Sequence, residues 1–354
     1  MAAATFAPLR VAGIEALTDD SVAVTFEVPD ELAAQYAFRP GQSLTLRRLI
    51  DGRDERRSYS ICAPAGAAPR IGVREVVGGA ISGWLVRDLR PGDVVDVLPP
   101  AGLFTADIST PGRHVLIAAG SGITPMMSIA SSVLAGNADS TITLVYGNRR
   151  SDTVMFADEL ADLKDRYPAR LQLLHVLSRE PRECDVLSGR LDAVRLGTLL
   201  DELVPLADVD HFWLCGPFGM VDTARALLLD RGVDAKRVHR ELFYVEDTAP
   251  PPAAHDDAAP TGPTAQVTIV LDGRATTLAL PRDVPVLDAA QRVRTDLPFA
   301  CKGGVCGTCR AQVTSGEVRM RRNFALEDDE LDAGYVLTCQ AVPVSDAVTV
   351  DYDA

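Results

Sequence analysis

The sequence has no apolar run approaching the roughly 20 residues that a helix needs to cross a bilayer, so no membrane span is expected. Its first stretch, MAAATFAPLRVAGIEAL, lacks a basic segment followed by an apolar core, so no secretory signal is expected and the cytoplasm is the expected location. There is no surplus of positive charge: 49 acidic residues stand against 35 basic ones, a net charge of −14. That sets aside a nucleic-acid partner, which needs a basic face to neutralise phosphates. The acid excess aids solubility and also suits docking on a basic partner, and charge alone does not choose between the two. Internal repeats are missing, and so is any Ser-His-Asp constellation for acyl transfer. The seven cysteines are odd in number, and four of them bunch near the C-terminus, which does not look like a disulfide framework. In a cytosolic chain such a bunch points to a metal or cluster site.

What is present falls into distinct segments. A length of 354 residues is enough for two or three domains. Residues 1–110 carry short alternating runs (SVAVTFEV, SLTLRRL, RRSYSICA, RIGVREV) between turn signals at Pro40-Gly41, Asp51-Gly52 and Pro91-Gly92. That pattern predicts a small antiparallel β-barrel, with one helical stretch, ISGWLVRDL, after Gly78-Gly79. Residues 111–245 alternate fully apolar strands (HVLIAAG, TITLVYG, RLQLLHVLS, HFWLCG) with amphipathic helices such as FADELADLKDRY and GMVDTARALLLDRG. Alternation of that kind predicts an α/β domain on a parallel, doubly wound sheet. Residues 246–264, EDTAPPPAAHDDAAPTGPT, read as a flexible linker rich in proline, alanine and acids. Residues 265–354 predict an α+β domain: a hairpin around Asp272-Gly273, a helix over VPVLDAAQRV, then a cysteine loop.

That loop, CKGGVCGTC, places four residues between Cys301 and Cys306 and two between Cys306 and Cys309, with Cys339 downstream. This is the plant-type [2Fe–2S] spacing. The four thiolates enclose a negatively charged cluster, and Gly303, Gly304 and Gly307 allow the backbone to come close and offer N–H groups to sulfur. Plant-type clusters sit near about −400 mV. The rival reading is a structural zinc site, although zinc sites usually use two compact cysteine pairs.

Arg57-Ser58-Tyr59-Ser60 in a barrel strand and Gly78-Gly79-Ala80-Ile81-Ser82 before a helix are weak signals singly. Together, ahead of a nucleotide-type sheet, they resemble the ferredoxin–NADP reductase superfamily. The resemblance implies bound FAD. Arg57 would offer its planar fork to the pyrophosphate, and Tyr59 would stack on the isoalloxazine. Ser60 would lie near flavin N5, where hydride arrives. Val73 would pack on the flavin side of the barrel, with a plain core valine as the alternative. Gly78 and Gly79 would admit the phosphates, and Ser82 would sit at a helix start that favours anions, with a simple helix N-cap as its alternative.

AGSGITPMM after an apolar strand is a variant dinucleotide turn with Pro125 where the third glycine would stand. The same resemblance assigns Gly120, Gly122, Thr124 and Pro125 to the nicotinamide turn, with Thr124 close to flavin and nicotinamide. Cys215-Gly216-Pro217 resembles the superfamily's second turn, with Cys215 near the nicotinamide or, alternatively, a buried small residue. In the NADP-using branch a Ser-Arg pair binds the 2′-phosphate, which points to Ser178 and Arg179, with Arg149 and Arg190 as helpers. NADPH is therefore the expected donor. Glu180 leaves an NADH reading open, since an acid there can take a ribose 2′-hydroxyl.

The order of flavin barrel, NADP sheet and C-terminal ferredoxin resembles the branch of the superfamily that supplies electrons to oxygenases. Ser60, Thr124 and Cys215 would then flank the hydride path, and FAD would bridge two-electron hydride and one-electron cluster chemistry. The segments NFALEDDELDAGYVLTCQ and VTVDYDA are most similar to the reductase components of phenylacetyl-CoA epoxidases, which implies a di-iron oxygenase core as partner. Reductases of Rieske-type and ketosteroid oxygenases are the nearer alternative, and a non-catalytic module binding zinc and a nucleotide is the remote one. The acidic stretch Glu327 to Asp332 is a candidate docking patch or a solvated surface run.

Overall fold

The computed structural model describes residues 5–50, 52–243 and 263–354. The linker expected over 246–264 lies outside the described residues except for its last two positions, and Thr264 already begins a strand. The chain divides into two compact units, one holding Phe6–Phe243 and the other holding the C-terminal domain.

The first unit opens with β1 (Ala7–Thr18), β2 (Ser21–Glu27), α1 (Ala33–Tyr36), β3 (Ser43–Ile50), β4 (Arg53–Ser60), β5 (Arg70–Arg74), α2 (Ala80–Arg87) and β6 (Val94–Val97). The six strands form one sheet in the order β4-β3-β6-β1-β2-β5, and every pair is antiparallel. Its two edge strands meet: Ile61 bridges Ile71, and Cys62 N–H donates to the Arg70 carbonyl at 2.8 Å. The expected barrel is thereby closed, around a core that includes Leu9, Phe26, Leu44, Leu46, Ile71 and Val97. At the Pro40-Gly41 turn, Gly41 has φ +93°, and a Cβ there would stand 1.9 Å from the Phe104 carbonyl oxygen, so only glycine fits.

The same unit continues with β7 (Arg113–Ala119), α3 (Ile123–Gly136), β8 (Thr141–Asn148), α4 (Ala157–Arg166), β9 (Leu171–Leu177), α5 (Ala193–Leu203), β10 (His211–Cys215), α6 (Phe218–Asp230) and β11 (Val238–Glu241). The sheet order is β11-β10-β7-β8-β9 and all pairs are parallel. Helices cover this sheet, so its strands read as apolar runs and β7 is buried through its middle. The chain winds outward from β7 in both directions. The crevice at the carboxyl ends of β7 and β10 is therefore the switch point where ligands bind in such sheets. Barrel and sheet are tied by Arg70, whose guanidinium donates to Glu159 of α4 at 2.9 and 3.0 Å and to Glu15 of β1 at 2.6 Å.

The C-terminal unit contains β12 (Thr264–Leu271), β13 (Arg274–Pro281), α7 (Val286–Ala290), β14 (Arg310–Ser315), β15 (Val318–Met320), α8 (Asp328–Asp332), β16 (Tyr335–Leu337), β17 (Ala341–Pro343) and β18 (Ala347–Asp351). Five strands run in the order β13-β12-β18-β14-β16, with β12 and β18 parallel, and β15 pairs β17 separately. This is a β-grasp arrangement, within the α+β class expected for this segment. The hairpin turn at Asp272-Gly273 has φ of 55° and 68°, the left-handed pair that a two-residue turn demands. The helix expected over VPVLDAAQRV is shorter, Val286–Ala290. Pro285 stands at its N-cap, and a further turn at Ala290–Val293 leads the chain toward the cysteines.

Candidate functional site

On the barrel side, β4 presents the flavin-type residues. Arg57 donates to the Arg56 carbonyl at 2.6 Å and lies 3.3 Å from the Glu55 carboxylate, with its side chain 39% exposed. Several of its N–H groups therefore remain for an anion. Ser58 shares a hydrogen bond with Thr45 at 2.9 Å, which holds β4 on β3. The half-buried Tyr59 has its phenol pushed well above the ordinary range by burial, so it stays neutral. Val73 lies in the barrel core at 1% exposure, so what it offers a flavin is its backbone. Gly78 has φ +75° with open space around it. Ser82 does not cap α2. The helix begins at Ala80 with Gly79 as its N-cap, and Ser82 Oγ instead accepts from Val76 N–H at 3.1 Å, bracing the glycine turn.

On the sheet side, Gly120–Gly122 form a single 3-10 turn between β7 and α3. The Gly120 carbonyl accepts from the buried Tyr146 hydroxyl at 3.0 Å. A Cβ on Gly122 would stand 2.2 Å from the Cys215 carbonyl oxygen, so this glycine lets the turn lie against β10. Thr124 is 1% exposed and donates to the Ser121 carbonyl at 3.0 Å. Its methyl packs where Gly72 of β5 has no side chain, 2.4 Å from the position a Cβ would take. Pro125 sits in the first turn of α3, where a missing N–H costs nothing. Cys215 is fully buried, and its thiol is pushed well up by burial and then by Glu241. Gly216 and Pro217 follow it and lead into α6, with Pro217 at the N-cap.

Two residues beyond those expected enter this crevice. Glu241, the last residue of β11, accepts from Ser60 Oγ at 2.9 Å, and burial pushes its carboxyl up to about 7 against that hydrogen bond. Arg74, at the end of β5, reaches across to the sheet domain. Its guanidinium donates to Asp20 at 3.1 Å and to the Thr153 carbonyl at 2.8 Å, and Nη1 lies 3.2 Å from the position of a Cβ on Gly120. An arginine ending a strand reads in sequence as surface charge, and Glu241 belongs to no motif.

Ser178 N–H and Arg179 N–H donate to the carbonyls of Asn148 and Arg149 at 2.9 and 2.8 Å, extending the β8–β9 pairing. Arg149, Arg150 and Arg179 line a cavity of about 350 Å³. Arg150 is engaged by Asp152 at 3.1 Å, whereas the Arg149 and Arg179 side chains have no hydrogen-bond or ion-pair partner among the described residues. Arg190 does not line this cavity. The Glu180 carboxylate is occupied by the Ser151 N–H and hydroxyl, at 2.8 and 2.9 Å.

In the C-terminal unit Cys301 interacts most strongly with Cys306, and Cys309 with Cys339, so the four thiols fall into two neighbouring pairs. Gly303 N–H points at Cys301 Sγ at 3.3 Å, and the Gln340 amide lies 3.7 Å from Cys339 Sγ. Lys302, Gly304 and Gly307 adopt left-handed backbone to wrap the loop. Among the described residues, no three such side chains gather about a single metal ion. Paired thiols with inward N–H groups are the donor set that a two-iron cluster takes.

Three family descriptions match successive segments: an oxidoreductase FAD-binding domain over residues 8–105, an oxidoreductase NAD-binding domain over 116–226 and a 2Fe-2S iron-sulfur cluster binding domain over 269–344. The chain is 42% identical to a component of the 1,2-phenylacetyl-CoA epoxidase of Escherichia coli (strain K12), covering 99% of this chain and 98% of that protein. The chain belongs to the oxygenase-reductase branch of the ferredoxin–NADP reductase superfamily. A second oxygenase reductase, the 3-ketosteroid-9-alpha-monooxygenase ferredoxin reductase component of Rhodococcus rhodochrous, is 35% identical over 97% of this chain and 96% of its own. The solved structure of phthalate dioxygenase reductase matches with TM-score 0.61 and 25% identity, covering 98% of both chains. As an oxygenase reductase, this chain is an oxidoreductase with FAD, nicotinamide-nucleotide and [2Fe–2S] domains, which overturns the zinc and non-catalytic readings. No helix among the described residues is long and apolar enough to cross a membrane.

Proposed function

We propose that this chain takes hydride from NADPH and delivers single electrons to the di-iron oxygenase core of a phenylacetyl-CoA epoxidase, in the cytoplasm. The observation that carries the partner is the 42% identity, over nearly the full length of both chains, to a component of a phenylacetyl-CoA epoxidase. Bound FAD supplies the conversion of a hydride pair into single electrons, and the cluster carries them one at a time.

The chain's own residues do the rest. Arg57 and the Gly78-Gly79 turn hold the FAD pyrophosphate, and Tyr59 covers the ring. Gly120, Gly122, Thr124 and Pro125 seat the nicotinamide end against Cys215, Gly216 and Pro217. Arg74 brings a cation to that turn. Ser60 and Glu241 form a part-buried hydroxyl–carboxyl pair able to hold or pass a proton at neutral pH, because the Glu241 carboxyl sits at about 7. NADPH is favoured over NADH for two reasons. Arg149 and Arg179 bring two uncommitted cations to one cavity beside Ser178, and Glu180, the acid that would suit NADH, is held by Ser151. Cys301, Cys306, Cys309 and Cys339 ligate the cluster.

The test is NADPH consumption by the purified protein with a phenylacetyl-CoA epoxidase core, with and without phenylacetyl-CoA and oxygen. Substrate-dependent turnover, much poorer with NADH, is the expected result. Reduction of artificial acceptors without coupled product would move the partner to another oxygenase, such as a ketosteroid hydroxylase.

A further inference from the structure

The strip of chain laid over the cysteine loop is basic. Arg319 lies in β15, and Arg321 and Arg322 follow it, all three exposed. The strip touches the loop directly: Phe324 N–H donates to the Gly304 carbonyl at 3.0 Å, and the Arg322 carbonyl lies 3.5 Å from the position of a Cβ on Gly304. Arg321 is anchored, with its backbone N–H on the Gln340 carbonyl at 2.9 Å and its guanidinium on the Asp283 carbonyl. The side chains of Arg319 and Arg322 have no hydrogen-bond or ion-pair partner among the described residues. Cys301 and Cys306 are the less buried ligands, while Cys309 and Cys339 are each 3% exposed, so the solvent edge of the cluster lies on the Cys301 and Cys306 side. Exposed Arg322 thus lies on the strip that runs against Gly304, between the two less buried ligands, and exposed Arg319 precedes it by three residues in β15, in a chain whose net charge is −14.

The acids nearby have a different account. Ala325 packs over Gly307, and beyond it α8 begins with Glu327 and Glu330 closing a reciprocal cap and Asp328 and Asp329 in the first turn. Acids in a first turn complement the unpaired N–H groups there, and Glu330 is bound by Arg310.

We infer that Arg319 and Arg322 form a docking rim for an acidic face on the protein that accepts electrons from the cluster. The inference rests on the assignment of the four cysteines as cluster ligands. One electron crosses this rim at a time: the reduced cluster is oxidised by one electron and the acceptor is reduced by one. A donor on the same chain is already held at high effective concentration and gains little from steering. A separate protein must be found by diffusion, the step that opposite charge accelerates.

The test is Arg319→Glu/Arg322→Glu in the full-length chain, with cluster absorbance read first to establish assembly. NADPH-driven reduction of the cluster should stay within about twofold of wild type. The kcat/KM for the phenylacetyl-CoA epoxidase core should fall about tenfold at low salt, and the difference should vanish near 0.3 M salt, where the Debye length is only several ångströms. Reduction of cytochrome c, a basic acceptor, should become faster. If the double variant loses its cluster, Arg319→Gln/Arg322→Gln reads the same signs at smaller size. The inference is overturned if both acceptors respond alike, if neither responds, or if Asp328→Lys/Asp329→Lys slows the epoxidase core instead. A wild-type protein that fails to turn over the core removes that partner, and the cytochrome c comparison still decides the rim.

Discussion

Ser60 and Glu241 stand 181 residues apart in the chain, yet their side chains meet at 2.9 Å. An ordinary glutamate titrates near about 4.3, whereas burial pushes Glu241 up to about 7, with the Ser60 hydrogen bond opposing the rise. An acid with a raised folded-state pKa contributes stability that is fully present below its unfolded value and lost as pH rises through the folded one. Glu241→Gln should therefore raise the Tm by a few degrees at pH 8 and change it little at pH 4. The same substitution should flatten a step near pH 7 in the rate at which NADPH reduces the flavin. A step that persists in the variant would assign it to another group. Arg179→Ala should raise the KM for NADPH about tenfold or more and leave NADH within about twofold, because only NADPH carries the 2′-phosphate that a free guanidinium can fork. Equal losses for both nucleotides would remove Arg179 from that role. The glycine turns and the cysteine loop were legible because each is a local pattern, a turn beside an apolar run or ligands at fixed spacing. Glu241 was not, since its place beside Ser60 follows from the sheet order β11-β10-β7 and from how barrel and sheet pack, and nothing in VHREL reports either.

At the scale of elements, the strongly patterned strands of barrel and sheet were readable, and β11 and β6 were not. Both are four residues long, and β11 is an edge strand half-buried throughout, so no apolar run marks it. That edge carries an unforeseen feature. Register puts His211 beside His114 and Trp213 beside His239, on one face of β7, β10 and β11. Trp213 donates to His114 Nδ1 at 3.2 Å and stacks on His239 at 4.1 Å, while His211 Nδ1 and His239 Nε2 lie 3.1 Å apart. Burial lowers all three: His114 and His239 to about 4, and His211 also below its ordinary value. Asp210 opposes the shift at His114 and His211, and Asp107 opposes it at His211. Arg237 lowers His211 further, His211 depresses both His114 and His239, and His239 also depresses His114. For a base with a depressed folded pKa, the unfolded chain binds protons first. Stability is then lost as pH falls from about 6.5 toward 4. Urea midpoints should accordingly drop between pH 7.5 and pH 5, and His239→Gln should lose less over that interval than wild type. An identical drop in both proteins would place the acid sensitivity elsewhere.

At the scale of the molecule, hydride chemistry and single-electron carriage are assigned to two compact units with separate cores. The barrel and sheet cores lie within Phe6–Phe243, and the cysteine loop belongs to a core built from Val267, Ile269, Leu287, Leu337 and Val350. Damage to the second core's cargo should then leave the first unit's chemistry intact. Cys306→Ser removes one thiolate of the Cys301–Cys306 pair, and a serine hydroxyl is a far poorer ligand for iron than a thiolate. The variant should lose the plant-type absorbance while NADPH still bleaches its flavin within about twofold of the wild-type rate. Electron delivery to an oxygenase core should fall by about a hundredfold or more, because the flavin unit then has no single-electron outlet. Two results would each break a different part of this account. A surviving plant-type spectrum would show that Cys306 is not a ligand. Loss of flavin reduction together with the cluster would show that the two units depend on each other for folding, which their separate cores argue against.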